Sequence, residues 1–387
     1  MESVIVSAPG VMLGKTSERL VVRGPRPRLE LVEGGPQLFL PIELPARPPL
    51  RLVTSAGIKG PPQPLRRSKA EGGPRLTPER VELPLFRISD IVVAAPGVSV
   101  STDLIEACCE RGIRLSFLAP SGRPIAMLTS PMLTATVVTR REQMAAYGDG
   151  RGLEVAKAVV RGKLGNQAAL LKYFGKYLKT VDPAAFGQVR EAARALGAGR
   201  REVESVPGSR VDDARGALLA IEGAAGRHYW RGVRALLGGH VPFDSREHRG
   251  AADPVNAALN YGYGILYTQV WGALMNAGLE PFAGFLHVDR PGKPSLVLDL
   301  IEEFRQPVVD RAVLASLTKG SKLEMREGML TEASRRLVAG AVLERLETEV
   351  GFRGRRHRLK SVVQIQARNL AAYLRGGEAY RGFAFKW

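Results

Sequence analysis

The chain has 387 residues and a formal net charge of +18, with 56 Lys and Arg against 38 Asp and Glu. This length allows two domains with a sizeable core, and the positive charge indicates a polyanionic partner such as DNA or RNA and argues against acidic protein substrates. There is no apolar run long enough to span a membrane and no secretory signal at the start, so we expect a cytoplasmic protein without a membrane partner.

The first third of the chain is predicted to be a β domain. Short apolar runs separated by Gly and Pro predict strands near residues 4–6, 18–23, 28–32, 38–43, 88–93, 113–118 and 124–128, with one helix over 102–110. From about Arg140 the apolar period becomes helical and stays so. We therefore predict an α+β fold, with an N-terminal β-sheet or sandwich domain over 1–132 and a larger all-α domain over 133–387.

A proline-rich, basic segment at about residues 42–82 interrupts the β domain. Its composition is too polar and too rich in proline for a central strand, so we interpret it as an insertion that forms a surface loop. If the segment has a specific role, the cluster of Arg66, Arg67, Lys69 and Arg75 predicts phosphate contacts.

Two further basic stretches are candidates for DNA contact. The first lies on the first long helix and the second precedes the last helix, and each is dense enough in charge to meet phosphates. For any single residue among them a solvated position is the ordinary alternative. The candidates are Lys157, Arg161 and Lys163 in the first stretch and Arg355, Arg356 and Arg358 in the second.

The helix predicted over 211–237, which ends at two glycines, carries a carboxylate on its apolar face. Glu222 falls in the middle of the stripe formed by residues such as Leu218, Tyr229 and Val233, while three arginines, 227, 231 and 234, fall on the opposite face. A buried carboxylate needs a positive partner. The two alternatives are a metal ion and an ion pair with Arg215 on the same stripe.

A second acidic cluster lies near the middle of the helical region. His287 precedes a Pro- and Gly-containing turn, and residues 295–305 read as an amphipathic helix with Ser295 as its N-cap. Its polar face carries Asp299, Glu302 and Glu303, for which a solvated acidic face is the usual explanation. A rival metal set of His240, Asp244 and His248 matches no closed zinc geometry.

Taken together, the segments around these residues resemble the CRISPR-associated integrase family, the universal endonuclease subunit of the spacer-acquisition machinery. The resemblance rests on residues 220–230, 253–267, 284–287 with 295–305, and 88–105, which occur in the order of the family and cover nearly the whole chain. It implies that the metal ligands are Glu222, His287 and Glu302, that Asp299 is a nearby carboxylate that could assist, and that Glu303 faces solvent.

The resemblance also implies the chemistry and the partners. Two carboxylates and one imidazole suit Mg²⁺ or Mn²⁺, which would polarise a phosphodiester under attack by a DNA 3′-hydroxyl without ATP. The implied reaction inserts a short double-stranded DNA, the prespacer, into a CRISPR repeat. The implied assembly is a homodimer formed through the β domain, with a small second Cas subunit bridging two dimers and an exonuclease partner that could trim the ends.

Two alternatives to this function stay open. A transposon-type integrase or a branched-DNA nuclease of the same fold would keep the chemistry and change the substrate. A non-catalytic DNA-binding scaffold would use the positive charge without the carboxylates, and it is disfavoured because all three ligand positions of the family are intact.

Overall fold

The computed structural model describes residues 2–24, 29–32, 79–128, 137–238, 241–247 and 251–385. Two sheets form the first part of the chain. The five-stranded sheet has the order β4-β1-β6-β8-β9, with β1, β6 and β8 parallel. Its strands are β1 (Glu2–Val6), β4 (Leu29–Val32), β6 (Ile88–Val93), β8 (Arg114–Leu118) and β9 (Pro124–Met127).

The second sheet has four strands in the order β5-β3-β2-β7. These are β2 (Met12–Thr16), β3 (Arg19–Gly24), β5 (Glu79–Pro84) and β7 (Ser99–Val100). Helix α1 (Thr102–Arg111) follows β7; it begins where Ser101 Oγ accepts a hydrogen bond from Leu104 N and ends at Gly112 in the left-handed region. One apolar cluster, including Leu13, Ile91 and Leu104, joins both sheets and α1.

Strand β5 corrects one boundary of the predicted insertion. Residues 33–78 lie outside the described part of the chain, as do the four basic residues predicted to contact phosphates there, but Glu79–Pro84 pairs along its whole length with β3. The insertion predicted to reach residue 82 therefore ends before Glu79. The polar side chains of β5 misled the prediction, because an edge strand with one open face does not need a continuous apolar run.

The remainder of the chain is mainly helical, which confirms the predicted α+β class. The helices are α2 (Val137–Tyr147), α3 (Gly150–Val181), α4 (Pro183–Ser205), α5 (Val211–Leu237), α6 (Pro254–Asn276), α7 (Ser295–Ile301), α8 (Arg311–Thr318), α9 (Glu332–Glu347) and α10 (Leu359–Leu374). Two short hairpins interrupt them, β10 (Met325–Arg326) with β11 (Met329–Leu330) and β12 (Glu349–Phe352) with β13 (Arg355–Arg358).

Three long helices, α3, α4 and α5, pack side by side. Helices α3 and α5 run parallel, because Lys163 contacts Glu222 and Leu171 lies beside Gly232 further along both helices. Gly232 faces Leu171 so closely that a Cβ at residue 232 would lie 2.8 Å from the Leu171 side chain. Close helix packing at this glycine fixes which residues of α3 face which residues of α5.

The predicted helix over 295–305 is shorter than expected. Helix α7 ends at Ile301, and a π-helical turn over Arg305–Asp310 follows. Pro307 has no N–H to bond the carbonyl of residue 303, and Asn166 Nδ2 of α3 donates to that carbonyl instead, at 2.8 Å. Ser295 is the first helical residue rather than the N-cap, and its hydroxyl donates to the carbonyl of Phe282. This break turns the residues after α7 toward α3.

Among the helices that the structure describes, none combines the length and the apolar character needed to cross a bilayer.

Candidate active site

Two carboxylates from different helical segments meet around one lysine of α3. The Nζ atom of Lys163 lies 2.6 Å from Glu302 Oε2 and also contacts Glu222 Oε1. Arg305 Nε lies 3.2 Å from the other oxygen of Glu302. The Glu222 side chain keeps 25% of its surface exposed, against 5% for Glu302, so the pair of carboxylates is open to the surface on the Glu222 side.

The positive groups around Glu302 decide its protonation. Burial raises the pKa of this carboxyl, but Arg305 and Lys163 lower it by more and hold the pKa at about 2. Burial works against the charged form of Lys163, and the two carboxylates still raise its pKa above the ordinary value. The carboxylate of Glu302 is therefore ionised at neutral pH, as a metal ligand must be.

His287 is oriented by the buried carboxylate of Asp299. The two oxygens of Asp299 accept hydrogen bonds from the backbone N–H groups of Phe285, Leu286 and His287, and Oδ1 also lies 2.7 Å from His287 Nδ1. When the Nδ1–H group of His287 donates to Asp299, the lone pair on Nε2 is available to a metal ion. Asp299 thus acts on the site through His287, and its oxygens are committed to donors within the protein.

The structure overturns the prediction that Glu303 faces solvent. Glu303 is fully buried, and its carboxylate accepts hydrogen bonds from Tyr380 Oη, Phe383 N and Gln366 Nε2 at 2.6 to 2.8 Å. Burial raises the pKa of Glu303 to about 7 although these three donors favour the ionised form. The predicted solvated face was wrong for two reasons. Asp299 lies within α7 but is covered by the backbone of residues 285–287, and Glu302 and Glu303 follow the end of the helix and enter two other buried surroundings.

Glu222, His287 and Glu302 all line one cleft of about 600 Å³. Arginines of α5 and of the loop before α6 line the same cleft. The arginines of α5 lie on the side of the helix away from its apolar stripe, and they still border the cleft that Glu222 lines. Glu222 lies on the apolar stripe as predicted, but it is only half-buried rather than buried, because the cleft opens onto the stripe at this residue. The positive lining consists of Lys163, Arg227, Arg231, Arg234, Arg246 and Arg305.

A buried polar network supports the inner wall of the cleft. Asp310 accepts hydrogen bonds from the hydroxyls of Tyr229 and Tyr263 at 2.6 and 2.5 Å. The guanidinium of Arg305 lies 4.7 Å from the ring centre of Tyr263, and that of Arg246 lies 5.4 Å from the same ring. These contacts hold two cleft arginines in place through one tyrosine.

The donor set suits a divalent ion, although its members are not gathered around one point. Two carboxylates and one imidazole nitrogen are ligands that Mg²⁺ and Mn²⁺ accept, and the buried Oε2 of Glu302 contacts Lys163 without making a hydrogen bond. Within the described ranges, however, no three His, Cys, Asp or Glu side chains are grouped closely enough to hold a metal ion. The ammonium group of Lys163 stands between the two carboxylates and neutralises them.

Within each stretch, the residues predicted to bind DNA do not all lie on one surface. Lys163 belongs to the carboxylate site rather than to a DNA-facing surface, and Lys157 has only 14% of its side chain exposed and lies near Glu154. Arg161 lies 3.8 Å from Glu204. Residues two positions apart on a helix face different directions, so residues 161 and 163 cannot share a DNA-facing surface.

In the second predicted stretch, alternate residues of β13 face opposite sides of the hairpin. Arg356 pairs with Glu349 and Arg358 with Glu347, whereas Arg355 points to the other side. The high positive charge seen in the sequence is therefore partly neutralised by acidic neighbours.

The contacts of Arg215 and Asp244 bear on the ion-pair hypothesis for Glu222 and on the rival metal set. Arg215 pairs with Asp212 and donates to the carbonyl of Phe285, so it is not the partner of Glu222. Of the rival metal set, His240 and His248 lie outside the described residues, and Asp244 pairs with Arg234.

Sequence reasoning missed the role of Lys163. Its position on α3 falls within an apolar stripe that includes Val159, Val160 and Leu170, all of them buried. A lysine in such a stripe needs an anionic partner for the same reason that Glu222 needs a cation. The apolar stripe of α3 was therefore the one sequence signal that Lys163 is enclosed, but it does not name Glu222 as the partner.

Comparisons with known proteins identify the family of the chain. The family described as CRISPR associated protein Cas1 matches residues 68–344. A CRISPR-associated endonuclease Cas1 of Archaeoglobus fulgidus is 38% identical over 301 residues, which are 75% of this chain and 87% of that protein. A second such endonuclease, from Korarchaeum cryptofilum, is 31% identical over 308 residues, or 78% of this chain and 88% of that protein.

Solved structures share the fold at lower sequence identity. A casposase bound to its integration product has a TM-score of 0.72 and 20% identity, covering 99% of this chain and 93% of that one. A Cas1 protein from Thermotoga maritima has a TM-score of 0.65 and 18% identity, covering 98% and 99%. A chain of a Cas6-RT-Cas1 complex with Cas2 has a TM-score of 0.67 and 16% identity, covering 98% of this chain and 36% of that one.

Proposed function

The chain belongs to the CRISPR-associated Cas1 family of endonucleases, and from that premise we propose that it is a metal-dependent DNA strand transferase of spacer acquisition. The observation that carries the proposal is the convergence of Glu222, Glu302 and His287 on one cleft with a positive lining. Acidic ligands inside a positive cleft suit a polyanionic substrate with a phosphodiester at its reacting centre.

The ligands we propose are one oxygen each from Glu222 and Glu302 and the Nε2 atom of His287. A bound Mg²⁺ or Mn²⁺ would supply Lewis-acid polarisation of the phosphodiester and would favour deprotonation of the attacking hydroxyl. Asp299 keeps the imidazole in one orientation and one tautomer. Lys163 has to withdraw its ammonium from between the two carboxylates when both ligate the ion.

The remaining residues of the cleft act on the DNA. Arg227, Arg231 and Arg234 are exposed on α5 and can bind backbone phosphates on either side of the reacting one. Arg305, which lies beside Glu302, and Lys163, once displaced from the carboxylates, would stabilise the extra negative charge of a five-coordinate phosphate. In strand transfer, the 3′-oxygen of the inserted DNA forms a bond to a phosphorus of the target strand. The bond between that phosphorus and the 3′-oxygen of the target strand breaks in the same step, so no ATP is needed. Water in place of the 3′-hydroxyl gives cleavage at the same site.

The proposed partners are double-stranded DNA, a second copy of this chain, a small second Cas subunit and, where ends need trimming, an exonuclease. Support for DNA comes from the net charge of +18 and from the likeness to a casposase bound to integration product. Support for the second subunit comes from the likeness to a Cas1 chain in a complex with Cas2. We place the dimer contact on the β domain, as we predict from the sequence.

The test is a strand-transfer assay with a pre-cut DNA and a plasmid that carries the repeat. We expect Glu222→Gln, His287→Ala and Glu302→Gln each to lower strand transfer by at least about 100-fold in Mg²⁺ or Mn²⁺, with DNA affinity and thermal stability largely kept. Glu191→Gln, an exposed carboxylate on α4, is the matched control and should retain full activity. Retention of strand transfer by Glu302→Gln would contradict the ligand assignment.

A same-fold integrase outside CRISPR is the second candidate, favoured by the likeness to the casposase. The same assay separates the two functions. A preference for the repeat-bearing plasmid over a plasmid without repeats supports spacer acquisition, and equal use of both supports a transposon-type integrase. Normal DNA binding with no transfer or cleavage in any metal supports a non-catalytic scaffold.

A further inference from the structure

A segment that follows α10 crosses helix α3 next to the active site. We refer to residues 380–385 as the 380–385 segment, of which Phe383 is fully buried. A Cβ at Gly162 would lie 3.4 Å from the carbonyl oxygen of Phe383, and a Cβ at Gly382 would lie 2.3 Å from a carbonyl oxygen of α3. The backbones of the segment and of α3 are therefore in direct contact one residue before Lys163, and neither can shift without moving the other.

Asn166 of α3 ties two distant stretches of backbone together. Its Nδ2 group donates to the carbonyls of Glu303 and Phe383, both at 2.8 Å, and its Oδ1 atom accepts from Phe385 N at 2.8 Å. The Asn166 residue is only 1% exposed. Both donors and the acceptor of the amide are thus used by backbone groups, an arrangement that neither a hydrocarbon side chain nor a carboxylate can supply.

The same segment holds the side chains of the two residues that follow Glu302. The carboxylate of Glu303 accepts hydrogen bonds from Tyr380 Oη and Phe383 N at 2.6 and 2.7 Å. The rings of Phe304 and Phe383 stack, with 5.1 Å between ring centres and 14° between ring planes. Backbone, carboxylate and ring contacts with the 380–385 segment therefore fix the chain immediately after Glu302.

Glu302 lies where the helix has lost its regular hydrogen bonds. Helix α7 ends at Ile301, and the N–H groups of residues 302, 303 and 304 donate to carbonyls three residues earlier, at 2.9 to 3.3 Å. Such 3₁₀-type bonds have poorer geometry than those of an α-helix. The Glu302 side chain contacts two cations, and one of them, Lys163, has to withdraw when both carboxylates bind an ion. The direction of the carboxylate then depends on the backbone at 302–304.

We propose that Asn166 and the 380–385 segment are positioning residues, which orient Glu302 so that its carboxylate meets the metal ion. This inference rests on the proposed function, in which Glu302 is a ligand. A metal ligand has to be held to within about 0.5 Å, and loss of an outer hydrogen-bond partner commonly lowers metal affinity about 10- to 100-fold. Changes in the segment therefore weaken the metal site, although no residue of the segment lines the cleft that the structure describes.

The test measures Mn²⁺ binding to the full-length protein without DNA, from the electron paramagnetic resonance signal of the free ion. Asn166→Ala removes the three backbone contacts, and Tyr380→Phe removes only the hydroxyl that donates to Glu303. Leu104→Ala changes a buried residue of the β domain and is the control for a loss of stability alone. Strand transfer over a range of Mn²⁺ concentrations and duplex binding in chelator are measured for the same proteins.

We expect Asn166→Ala to raise the Kd for Mn²⁺ by about 10- to 100-fold and Tyr380→Phe to raise it by at least about 3-fold. Strand transfer by both variants should need correspondingly more Mn²⁺, and duplex binding in chelator should stay unchanged. Leu104→Ala should melt at a lower temperature and keep the Kd for Mn²⁺ of the unchanged protein.

An unchanged Kd in Tyr380→Phe, or an equal rise in Leu104→Ala, would overturn the proposal, and the first of these outcomes decides even where Asn166→Ala does not fold. Glu302→Gln separates this failure from a failure of the proposed function. If Glu302→Gln loses Mn²⁺ binding while Asn166→Ala and Tyr380→Phe keep it, the positioning role is wrong and the ligand stands. If Glu302→Gln binds Mn²⁺ normally, the proposed ligand set is wrong, and the positioning role with it.

Discussion

At the scale of single residues, the site is governed by charges that neutralise one another inside the protein. Glu222 and Glu302 can lie close to each other because the cations of Lys163 and Arg305 lie beside them. Removing the cations leaves the carboxylates without counter-charge, and removing the carboxylates leaves the cations without it. The same lysine has to leave for a metal ion to be bound by both carboxylates. Lys163 is therefore expected to stabilise the metal-free protein and to compete with the ion.

The first residue-scale prediction is that Lys163→Met lowers the free energy of unfolding by about 3 kcal/mol in chelator, because the buried Glu302 and the half-buried Glu222 lose a shared counter-ion. The variant should bind Mn²⁺ more tightly, and Mn²⁺ should restore more of its thermal stability than it adds to the unchanged protein. Calorimetric titration and thermal melts with and without Mn²⁺ measure both effects.

Lys157→Met is the matched control for that prediction. It lies on the same helix and is similarly enclosed, but it has only a 3.8 Å contact with the exposed Glu154. We expect a loss below about 1 kcal/mol and no change in Mn²⁺ affinity. Unchanged stability and unchanged Mn²⁺ affinity in Lys163→Met would show that Lys163 does not hold the carboxylates.

The second prediction concerns Glu303, whose pKa rises to about 7 in the folded protein from an ordinary value near 4.5. The folded state then binds the proton more tightly than the unfolded state, so the stabilisation is complete below about pH 4.5 and is lost as the pH rises to about 7. The loss is on the order of 3 kcal/mol.

Glu303→Gln has no carboxyl to titrate and should lack this loss. The difference in unfolding free energy between the unchanged protein and the variant should therefore shrink or reverse between pH 5 and pH 7.5, as denaturant titrations at several pH values would show. A constant difference over this range would mean that Glu303 keeps one protonation state throughout.

At the scale of elements, breaks in the helices place the site. Pro307 ends the regular hydrogen bonding after α7, and Asn166 of α3 becomes the partner of the freed carbonyl of Glu303. The same Asn166 binds the backbone of Phe383 and Phe385 near the end of the chain. One polar residue of α3 thus ties the segment that carries Glu302 to the C-terminal segment.

Helix α6 and the turn before β9 meet through two glycines, and this contact gives an element-scale prediction. A Cβ at Gly264 would lie 1.7 Å from the carbonyl oxygen of Gly122, and backbone cannot give way as a side chain does. We expect Gly264→Ala to lower the free energy of unfolding by about 3 kcal/mol or more. Denaturant unfolding measures this loss.

Gly216→Ala is the control, because that helical glycine of α5 has open space around it. Its replacement should stabilise the protein by up to about 1 kcal/mol through helix propensity alone. Equal effects of the two substitutions would mean that the turn moves away from α6 without cost.

At the scale of the whole molecule, the net charge of +18 is unevenly spread. The cleft combines six positive side chains with the three proposed ligands, whereas the β12–β13 hairpin balances two of its four arginines with glutamates. Only an unpaired cation that faces the nucleic acid releases counterions when it binds a phosphate. The location of the charge, rather than its sum, therefore sets DNA affinity.

The molecule-scale prediction compares two triple neutralisations that remove the same charge. Changing Arg227, Arg231 and Arg234 of α5 to Gln should lower the slope of log affinity against log salt by about two, at roughly 0.9 for each phosphate contact of Arg227 and Arg231, because Arg234 pairs with Asp244. Changing Arg355, Arg356 and Arg358 to Gln should lower this slope by about one or less. Arg356 and Arg358 pair with glutamates on one face of the hairpin, and Arg355 alone lies on the other face. Salt titrations of duplex binding measure both slopes, and a larger effect of the hairpin triple would place the DNA path there.

The sequence by itself determined the fold class, the bounds of one long helix and the family. Helix α5 runs over the predicted 211–237 and ends at a left-handed Gly238, because apolar periodicity and a terminal glycine are local signals. It also singled out Glu222 and His287, since a buried carboxylate and a motif are visible in one dimension.

Only the tertiary structure decided which charges meet. Lys163 and Glu222 are 59 residues apart, and the packing of α3 against α5 brings them together. Asp299 orients His287, and Glu303 is buried by Tyr380, Phe383 and Gln366, which lie 63 to 80 residues further along the chain. Helical periodicity shows which residues leave the solvent, but the partner of a buried charge depends on the packing of distant elements, which no local pattern encodes.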